Sequence, residues 1–338
     1  MEYTILGKTG LKVSKVGLGG IPVQRISLDE CKELINECIN QGINFIDTAR
    51  GYSVSEEYIG ESLIGKRDQF IIATKSMSRD YESMKRDIQI SLNNLKTDYI
   101  DLYQIHNIKT DEEFSTCFGE NGAYKALLEA KAEGKIGHIG ASAHGKEAFE
   151  RLIREYENEI ETIMFPFNIV ENQGLDLMKE CHEKNIAFIS MKPMAGGNIT
   201  NGTLAMKYIL NNPYNTIVIP GMASLDEVKE NANAVNLGEL TKEEIEECEN
   251  IVKELGNHFC RRCGYCAPCP MGINIPSNFL FVNYLRHYGL ADWAKDRYYA
   301  MAKTAKDCIE CGQCESKCPY ELPIREMLKE VAKDMEDF

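Results

Sequence analysis

The sequence predicts an α/β protein in two parts, a (β/α)8 TIM barrel followed by a small, mainly helical domain. Eight short apolar segments alternate with eight amphipathic segments across the first 235 of the 338 residues. This alternation predicts parallel strands joined by helices, and eight repeats in this length favour a barrel over a doubly wound sheet. A doubly wound fold usually carries GxGxxG after its first strand, where this chain reads GLGGIP. Two runs of cysteines set the last 80 residues apart.

The predicted elements alternate regularly along the first part of the chain. Strands are predicted at 15–19, 43–47, 70–74, 99–104, 136–141, 162–165, 187–191 and 216–219. Helices, in which apolar residues recur at helical spacing, are predicted at 28–41, 55–64, 80–94, 121–133, 146–156, 171–184, 201–211 and 224–235. A further helix at 241–255 begins with Thr241 and has Glu244 at the capping-box position. We therefore expect a barrel at 1–238, a connecting helix at 239–256 and a second domain at 257–338.

The formal net charge of −14 falls entirely on residues 1–256, because the tail beyond them holds 11 basic and 11 acidic residues. An acidic surface repels phosphate backbones and anionic lipids, which argues against nucleic-acid and membrane partners. No apolar run approaches the ~18 residues of a transmembrane helix, and MEYTILGKTG does not resemble an export signal. We therefore expect a cytoplasmic protein.

The tail carries two cysteine quartets, each followed by proline. The second has the spacing C-x2-C-x2-C-x3-C-P of bacterial [4Fe–4S] ferredoxins, and the first is one residue shorter before its last cysteine. Because the last cysteine of each run ligates the other cluster in two-cluster ferredoxins, we predict two [4Fe–4S] clusters with crossed ligands. The first predicted set is Cys260, Cys263, Cys266 and Cys318. The second is Cys308, Cys311, Cys314 and Cys269.

Other interpretations of the tail stay open. Paired CxxC motifs also form structural zinc sites. Disulfides are disfavoured, since the remaining cysteines stand singly in amphipathic segments. Between the quartets, residues 276–306 are predicted to be helical, which favours a helical dicluster domain. We expect its aromatic residues to pack the core and the clusters: Phe279, Phe281, Tyr284, Tyr288, Trp293 and Tyr298.

Four polar residues follow three successive predicted strands, at the end of a barrel where catalytic residues gather. Asp47 ends the second strand, Lys75 follows the third, His106 follows the fourth, and Tyr52 lies in the loop after the second. A carbonyl that accepts hydride needs a proton donor at its oxygen. A lysine ammonium lowers the pKa of a neighbouring tyrosine, and a carboxylate holds the lysine in place. The four residues therefore form a candidate acid–base unit.

Several segments resemble the aldo/keto reductase family in order and spacing. They are LGKTGLKVSKVGLGG, DTARGYSVSEEYIGESL, IIATK, DYIDLYQIHN, EAKAEGKIGHIGAS and VIPGMASLDEVKENANA. With the cysteine tail, the chain resembles the subgroup that carries a ferredoxin-type domain. The resemblance implies a catalytic tetrad of Asp47, Tyr52, Lys75 and His106, with Tyr52 as general acid.

The resemblance also implies a nicotinamide cofactor, NADH or NADPH. The implied contact residues are Ser142, Asn168, Met191, Pro220, Gly221, Glu230 and Asn231. Two positions depart from the family: Met191 stands where an aromatic residue usually stacks on the nicotinamide, and Ser142 is followed by Ala143 instead of asparagine. In the last barrel loop, the positions that match the usual cations are Gly221 or Ala223, and Glu227. A carboxylate there repels a 2′-phosphate. This loop should therefore disfavour NADPH.

Two functions are compatible with these features. The first is an oxidoreductase that reduces a carbonyl, or oxidises an alcohol, of a small-molecule substrate, while its clusters exchange electrons with a ferredoxin-like partner. Hydride transfer moves two electrons, whereas a [4Fe–4S] cluster normally passes one at a time. A flavin such as FMN would link the two processes, and it stays open as a further cofactor. The second is an electron-transfer or redox-sensing protein with the barrel as docking scaffold. Clusters that only stabilise the tail are a third interpretation. Substrate identity and oligomeric state are not legible in the sequence.

Overall fold

The structure is a computed structural model, and it describes residues 1–255, 258–262, 264–318 and 320–337. Ten strands precede residue 220. The first two, β1 (Tyr3–Ile5) and β2 (Lys12–Ser14), form a short antiparallel hairpin that pairs Tyr3 with Ser14 and Ile5 with Lys12. The other eight form one parallel sheet: β3 (Leu18–Gly19), β4 (Phe45–Asp47), β5 (Ile71–Ser76), β6 (Ile100–Ile105), β7 (Ile136–Ser142), β8 (Thr162–Pro166), β9 (Ala187–Met191) and β10 (Ile217–Ile219).

The parallel sheet closes into a barrel. Its strands pair in sequence order from β3 to β10. Parallel bridges Val16–Val218 and Gly19–Gly221 then join the two ends. A Cβ atom on Gly19 would lie 2.8 Å from the oxygen of Pro220, so glycine permits the close approach of the chains at this seam. The predicted (β/α)8 fold is confirmed.

Helices follow the barrel strands: α1 (Leu28–Asn40), α2 (Ser55–Ser62), α3 (Tyr81–Asn94), α4 (Asp111–Phe118), α5 (Ala123–Ala132), α6 (Glu147–Tyr156), α7 (Leu175–Glu183), α8 (Gly202–Leu210) and α9 (Leu225–Asn233). Local sequence fixes where several begin. At α1, the Ser27 hydroxyl accepts from the Glu30 N–H, and the Glu30 carboxylate accepts from the Ser27 N–H. This capping box satisfies two backbone donors that would otherwise lack partners at the helix start.

Beyond the barrel, the described residues form α-helices joined by turns and loops. The helices are α10 (Lys242–Leu255), α11 (Ile275–His287), α12 (Ala291–Tyr299), α13 (Gln313–Ser316) and α14 (Ile324–Asp337). Thr241 and Glu244 form the predicted reciprocal hydrogen bonds at the start of α10. Phe279 and Tyr298 are buried in the core of the tail, with Trp293 packed against it. Within the described residues, no helix is both long enough and apolar enough to cross a bilayer.

The chain divides into two compact units. The first comprises Met1–Asn168, Asn172–Pro193 and Gly202–Leu240 and contains the barrel. The second comprises Ile169–Glu171, Met194–Asn201 and the chain from Thr241 onward, and it contains both cysteine runs. The second unit thus includes two short segments from the loops that follow β8 and β9.

Candidate active site and cluster sites

Asp47 and Lys75 form a buried ion pair at the C-terminal ends of neighbouring strands. Asp47 ends β4, Lys75 lies one residue before the end of β5, and the two are 3% and 1% exposed. The Lys75 Nζ lies 2.5 Å from Asp47 Oδ2 and also donates to the carbonyl oxygen of Thr48 at 2.9 Å. Burial lowers the pKa of Lys75, because the ammonium loses its hydration, and the Asp47 carboxylate opposes that shift.

Tyr52 lies beside this ion pair. The Lys75 Nζ is 4.9 Å from the centroid of the half-buried Tyr52 ring. The turn that carries the tyrosine is fixed by its backbone: the Tyr52 N–H donates to the oxygen of Ala49, and the Arg50 N–H donates to that of Lys75, both at 3.0 Å. The loop after β4 therefore holds the phenol next to the ammonium.

His106 completes the group. It follows β6, and its ring meets that of Tyr52 edge to face, with centroids 6.0 Å apart. Burial, together with the positive charges of Lys75 and Arg79, holds the pKa of His106 well below its usual value. Its buried Nδ1 has no hydrogen-bond partner among the described residues. The imidazole is therefore neutral near pH 7, and all four residues predicted as the tetrad lie together.

Three of the predicted cofactor residues lie at the same end of the barrel. Ser142 ends β7, Met191 ends β9, and Asn168 follows β8. The Ser142 hydroxyl accepts from the N–H of Asn107 at 2.9 Å, and the Asn168 amide donates to the oxygen of Lys192 at 2.9 Å. Backbone contacts thus hold both polar side chains near the strand ends.

The other predicted cofactor residues follow β10. Pro220 accepts a hydrogen bond from the N–H of Gly19 at 2.8 Å, and Gly221 bridges to Gly19 at the seam of the barrel. Glu230 and Asn231 lie on α9, outside the barrel strands. The Asn231 amide donates to the backbone oxygen of Glu227 at 2.8 Å, which fixes its orientation.

Glu227 occupies the start of helix α9. Its carboxylate accepts from the N–H groups of Ala223 at 2.6 Å and Ser224 at 3.1 Å, and the Glu227 N–H donates to the Ser224 hydroxyl. Backbone N–H groups at a helix start commonly bind anions such as phosphate. Here a carboxylate of this chain already holds two of them.

The cysteines of the tail line two cavities. One, partly open to solvent, is lined by Cys269, Cys308, Cys311 and Cys314. The other, also partly open, is lined by Cys260, Cys266 and Cys318. Cys263, predicted to share a set with Cys260, Cys266 and Cys318, lies outside the described residues. Each cavity therefore combines thiols of one run with the last thiol of the other, and Ile275 lines both.

The isolated cysteines of the chain outside the two quartets are buried. Among the twelve described cysteines, no two form a disulfide with one another. Burial raises the pKa of the isolated Cys38 and Cys181 thiols to about 12, which makes them poor ligands and nucleophiles. Within the described part of the chain, no three or more Cys, His, Asp or Glu side chains are arranged to hold a single metal ion.

Comparison with known proteins gives the family of the chain. The aldo/keto reductase family model matches residues 15–203 and 198–253, more than half of the sequence. The chain belongs to the aldo/keto reductase family. A 4Fe-4S dicluster domain model matches residues 259–323, C-terminal to the reductase match. The protein is therefore an aldo/keto reductase with an appended 4Fe-4S dicluster domain.

Several relatives of this aldo/keto reductase are known. An uncharacterized oxidoreductase of Bacillus subtilis, YqkF, is 26% identical over 75% of this chain and 97% of the relative. The NADH-specific methylglyoxal reductase of Escherichia coli is 30% identical, over 62% of this chain and 72% of that protein. The aldo-keto reductase AKR11C1 from Bacillus halodurans, solved in its holo form, matches with a TM-score of 0.65 and 25% identity, over 74% and 96% of the two chains. Together they identify the chain as an oxidoreductase.

The site of this aldo/keto reductase has a buried carboxylate that the sequence did not point to. Glu56 is 1% exposed and accepts from the Thr74 hydroxyl at 2.7 Å, the Ser91 hydroxyl at 2.8 Å and the Asn94 amide at 3.2 Å. It also pairs with Arg50 at 3.3 Å. Because the backbone of Arg50 is bonded to Lys75, Glu56 supports the loop that carries the tyrosine.

A sequence signal for this carboxylate exists in retrospect. Glu56 lies three residues before Ile59 and seven before Leu63, so it belongs to the buried face of α2. A charged residue at a predicted core position needs buried polar partners, and it marks a network to search for.

Proposed function

We propose that this aldo/keto reductase reduces small aldehydes or ketones, or oxidises the corresponding alcohols, with Tyr52 as general acid. The observation that carries the proposal is the buried Lys75 ammonium between the Asp47 carboxylate and the Tyr52 ring. A bound reduced nicotinamide would supply the hydride that the carbonyl carbon receives. The residues of this chain then have to supply the proton and stabilise the charge that its transfer leaves behind.

Tyr52 is placed to give its phenolic proton to the carbonyl oxygen. When the carbon has gained hydride and the oxygen this proton, the product is a neutral alcohol and the tyrosine is a phenolate. The Lys75 ammonium, 4.9 Å from the ring, stabilises that phenolate through a low-dielectric environment. Asp47 keeps the lysine charged despite its burial. The neutral His106 orients the carbonyl oxygen without competing as an acid.

We propose that Ser142 and Asn168 bind the carboxamide of a nicotinamide, that Met191 packs against its ring, and that Pro220 and Gly221 border it. Glu230 and Asn231 would contact the adenine side. Glu227 favours NADH over NADPH, because its carboxylate holds the N–H groups of Ala223 and Ser224 that could otherwise receive a 2′-phosphate. The Escherichia coli relative is named as NADH-specific, which is in line with this choice.

We propose that the two cavities of the tail each hold a [4Fe–4S] cluster. The fit rests on the donor chemistry: thiolates are the usual ligands of these clusters, and each cavity gathers thiols of one run with the last thiol of the other. When bound, such a cluster accepts or releases one electron. A ferredoxin-like protein would be the matching one-electron partner.

The substitution Tyr52→Phe tests the proposed acid. It removes one hydroxyl and leaves the ring beside Lys75. We expect anaerobic NADH-dependent turnover of a panel of small aldehydes and ketones to fall by roughly 10²–10⁴-fold. Iron content and the visible spectrum should not change, because Tyr52 lies in the barrel and the two cysteine quartets lie in the tail. The loss of turnover would then be assigned to the barrel alone. Turnover equal to that of the unaltered protein on every substrate that it reduces would exclude Tyr52 as the acid.

A further inference from the structure

An arginine side chain holds the turn after β6. Arg79 follows β5, and its Nη1 donates to the carbonyl oxygen of His106 at 2.9 Å. Its Nη2 donates to the carbonyl oxygen of Asn107 at 2.8 Å. A guanidinium presents its donors as a rigid planar fork, so bonds to two successive carbonyls fix both peptide groups at once. His106, the residue proposed to orient the substrate, is therefore held through its own carbonyl.

Arg79 is itself anchored at its backbone and at its side chain. Its backbone oxygen accepts from the N–H of Ala123 at 2.8 Å, where helix α5 begins. Its Nη2 also pairs with the Glu113 carboxylate at 2.9 Å, and its side chain is only 16% exposed. The same carboxylate accepts from the N–H of Lys109 at 3.0 Å. Because solvent and salt screen a partly buried ion pair less than a surface pair, these contacts keep the fork on the turn.

The turn that Arg79 holds has an unfavourable backbone conformation. Asn107 has a φ of 57°, in the left-handed region that residues other than glycine seldom adopt. Its N–H donates to the Ser142 hydroxyl at 2.9 Å, and its Oδ1 lies 3.0 Å from the Nδ1 of His144. Such a conformation persists only where the surrounding contacts enforce it. The turn thus joins His106 to the end of β7, where Ser142 is proposed to bind the nicotinamide.

The guanidinium also contributes to the charge around His106. Burial is the largest cause of the lowered pKa of this imidazole. Positive charges lower the pKa further, and they come from Lys75, Arg79, Lys109 and Lys192. Because Arg79 is hydrogen-bonded to the His106 peptide, its charge stays at a fixed distance from the ring. The same side chain therefore holds the histidine in place and favours its neutral form.

We propose that Arg79 is a positioning residue of this reductase, which sets the orientation of His106 by clamping the turn after β6. The inference rests on the proposed function, since it takes from there the role of His106 in orienting the carbonyl oxygen of the substrate. A misplacement of about 1 Å in such a group can lower a rate by about 10²-fold. Arg79 acts on the backbone that carries the imidazole, and the imidazole acts on the substrate.

A double-mutant cycle on kcat tests whether Arg79 acts through His106. The proteins to compare are the unaltered chain, Arg79→Gln, His106→Gln and the double variant, with one aldehyde and saturating NADH under anaerobic conditions. Arg79→Gln should lower kcat about tenfold in the unaltered chain, and by less than about twofold once His106 has been replaced. Arg79→Lys keeps a cation and one point of attachment, so it should recover part of the loss. An equal loss of kcat in both backgrounds would overturn the inference.

Arg67→Gln is the matched control, because Arg67 makes the same kind of clamp at the other end of β5 and β6. It donates to the carbonyl oxygens of Phe70 at 2.7 Å and Tyr99 at 2.8 Å, and it pairs with the Asp101 carboxylate at 2.7 Å. The two glutamine variants should lose similar free energies of unfolding, whereas Arg67→Gln should keep kcat within about twofold. A kcat for Arg67→Gln as low as that of Arg79→Gln would reduce the effect to general destabilisation and overturn the positioning role.

Hydrogen exchange tests the clamp without any need for activity. The N–H groups of His106 and Asn107 donate to the Ser76 oxygen and the Ser142 hydroxyl, each at 2.9 Å. Both Arg79→Gln and Arg79→Lys should speed their exchange, and Arg67→Gln should not. Unchanged exchange in both Arg79 variants would overturn the clamp. An unaltered chain that reduces no aldehyde or ketone would contradict the proposed function alone, since the exchange result still decides the clamp. Should Arg79→Gln fail to fold, Arg79→Lys takes its place in the cycle with His106→Gln.

Discussion

Asp47→Asn is the substitution that isolates the charge of the buried pair. It keeps the size and shape of the side chain and removes the carboxylate that lies 2.5 Å from Lys75 Nζ. At an effective dielectric constant near 20, the attraction over this distance is about 7 kcal/mol before desolvation is counted. Removing one partner of such a pair typically costs about 3–5 kcal/mol, because the remaining charge stays buried and uncompensated.

Most of this cost is avoided when the Lys75 ammonium loses a proton and becomes a neutral amine. Burial already lowers the pKa of Lys75, and without Asp47 to oppose that shift the pKa falls further. The neutral amine no longer stabilises the Tyr52 phenolate, so we expect the rate to fall by about 10²-fold at pH 7. Because activity requires the charged lysine, the high-pH limb of the rate profile should move to lower pH.

The assay is the pH dependence of kcat for reduction of one aldehyde, measured under anaerobic conditions. Asp101→Asn is the matched control, because Asp101 pairs with Arg67 at 2.7 Å on the opposite, N-terminal side of the barrel strands. It should reduce stability without moving the profile. A rate for Asp47→Asn within threefold of the unaltered protein, with an unmoved high-pH limb, would refute the reasoning.

Three further predictions concern other parts of the barrel. Glu227→Arg should raise the ratio of kcat/KM for NADPH over NADH by at least about tenfold. Glu227→Gln can keep the capping box and should raise this ratio less. An unchanged ratio for both variants would contradict the role of the Glu227 carboxylate. Glu56→Gln should lower the free energy of unfolding in urea by about 2 kcal/mol, because the buried hydrogen-bond network loses its charged acceptor. An unchanged free energy of unfolding would contradict the role of this network. Gly60→Ala should cost about 3 kcal/mol, since its Cβ would lie 2.2 Å from the oxygen of Asn94. Gly51→Ala, with open space around it, should cost less than about 0.5 kcal/mol, and equal costs would refute the packing argument.

The barrel was predictable because its pattern repeats. All eight predicted strands and all eight predicted helices are present, since each strand is an apolar run and each helix has one apolar face. Two elements were not predicted. The hairpin of β1 and β2 has strands of three residues, too short for a period to show. Helix α4 has only eight residues and lies in a stretch for which no element was predicted.

The site was predictable in part for a similar reason. Residues that end parallel strands meet at one end of a barrel, so Asp47, Lys75 and His106 could be grouped without coordinates. The Glu56 network could not be read in this way, because its partners come from a strand, a helix and a loop that no local pattern connects. Its energetic role depends on burial, which only the packed structure gives.

The charge environment of the cysteines was also beyond the sequence. Arg261 and Arg262 are neighbours in CRRC, and both stand between the same two cysteines. The fold gives them different partners: Arg261 stacks on Tyr320, whereas Arg262 pairs with Glu171. Such a difference arises from contacts between residues far apart in the sequence, and spacing alone could not reveal it.

The most direct test of the central claim is an anaerobic titration of the purified chain with NADH and NADPH. The claim is that the barrel is a working nicotinamide site and not only a scaffold for the tail. We predict saturable binding of NADH, followed by fluorescence, with weaker binding of NADPH. Failure of either nucleotide to bind saturably to iron-replete protein would contradict a reductase, and would favour an electron-transfer or redox-sensing protein built on a barrel.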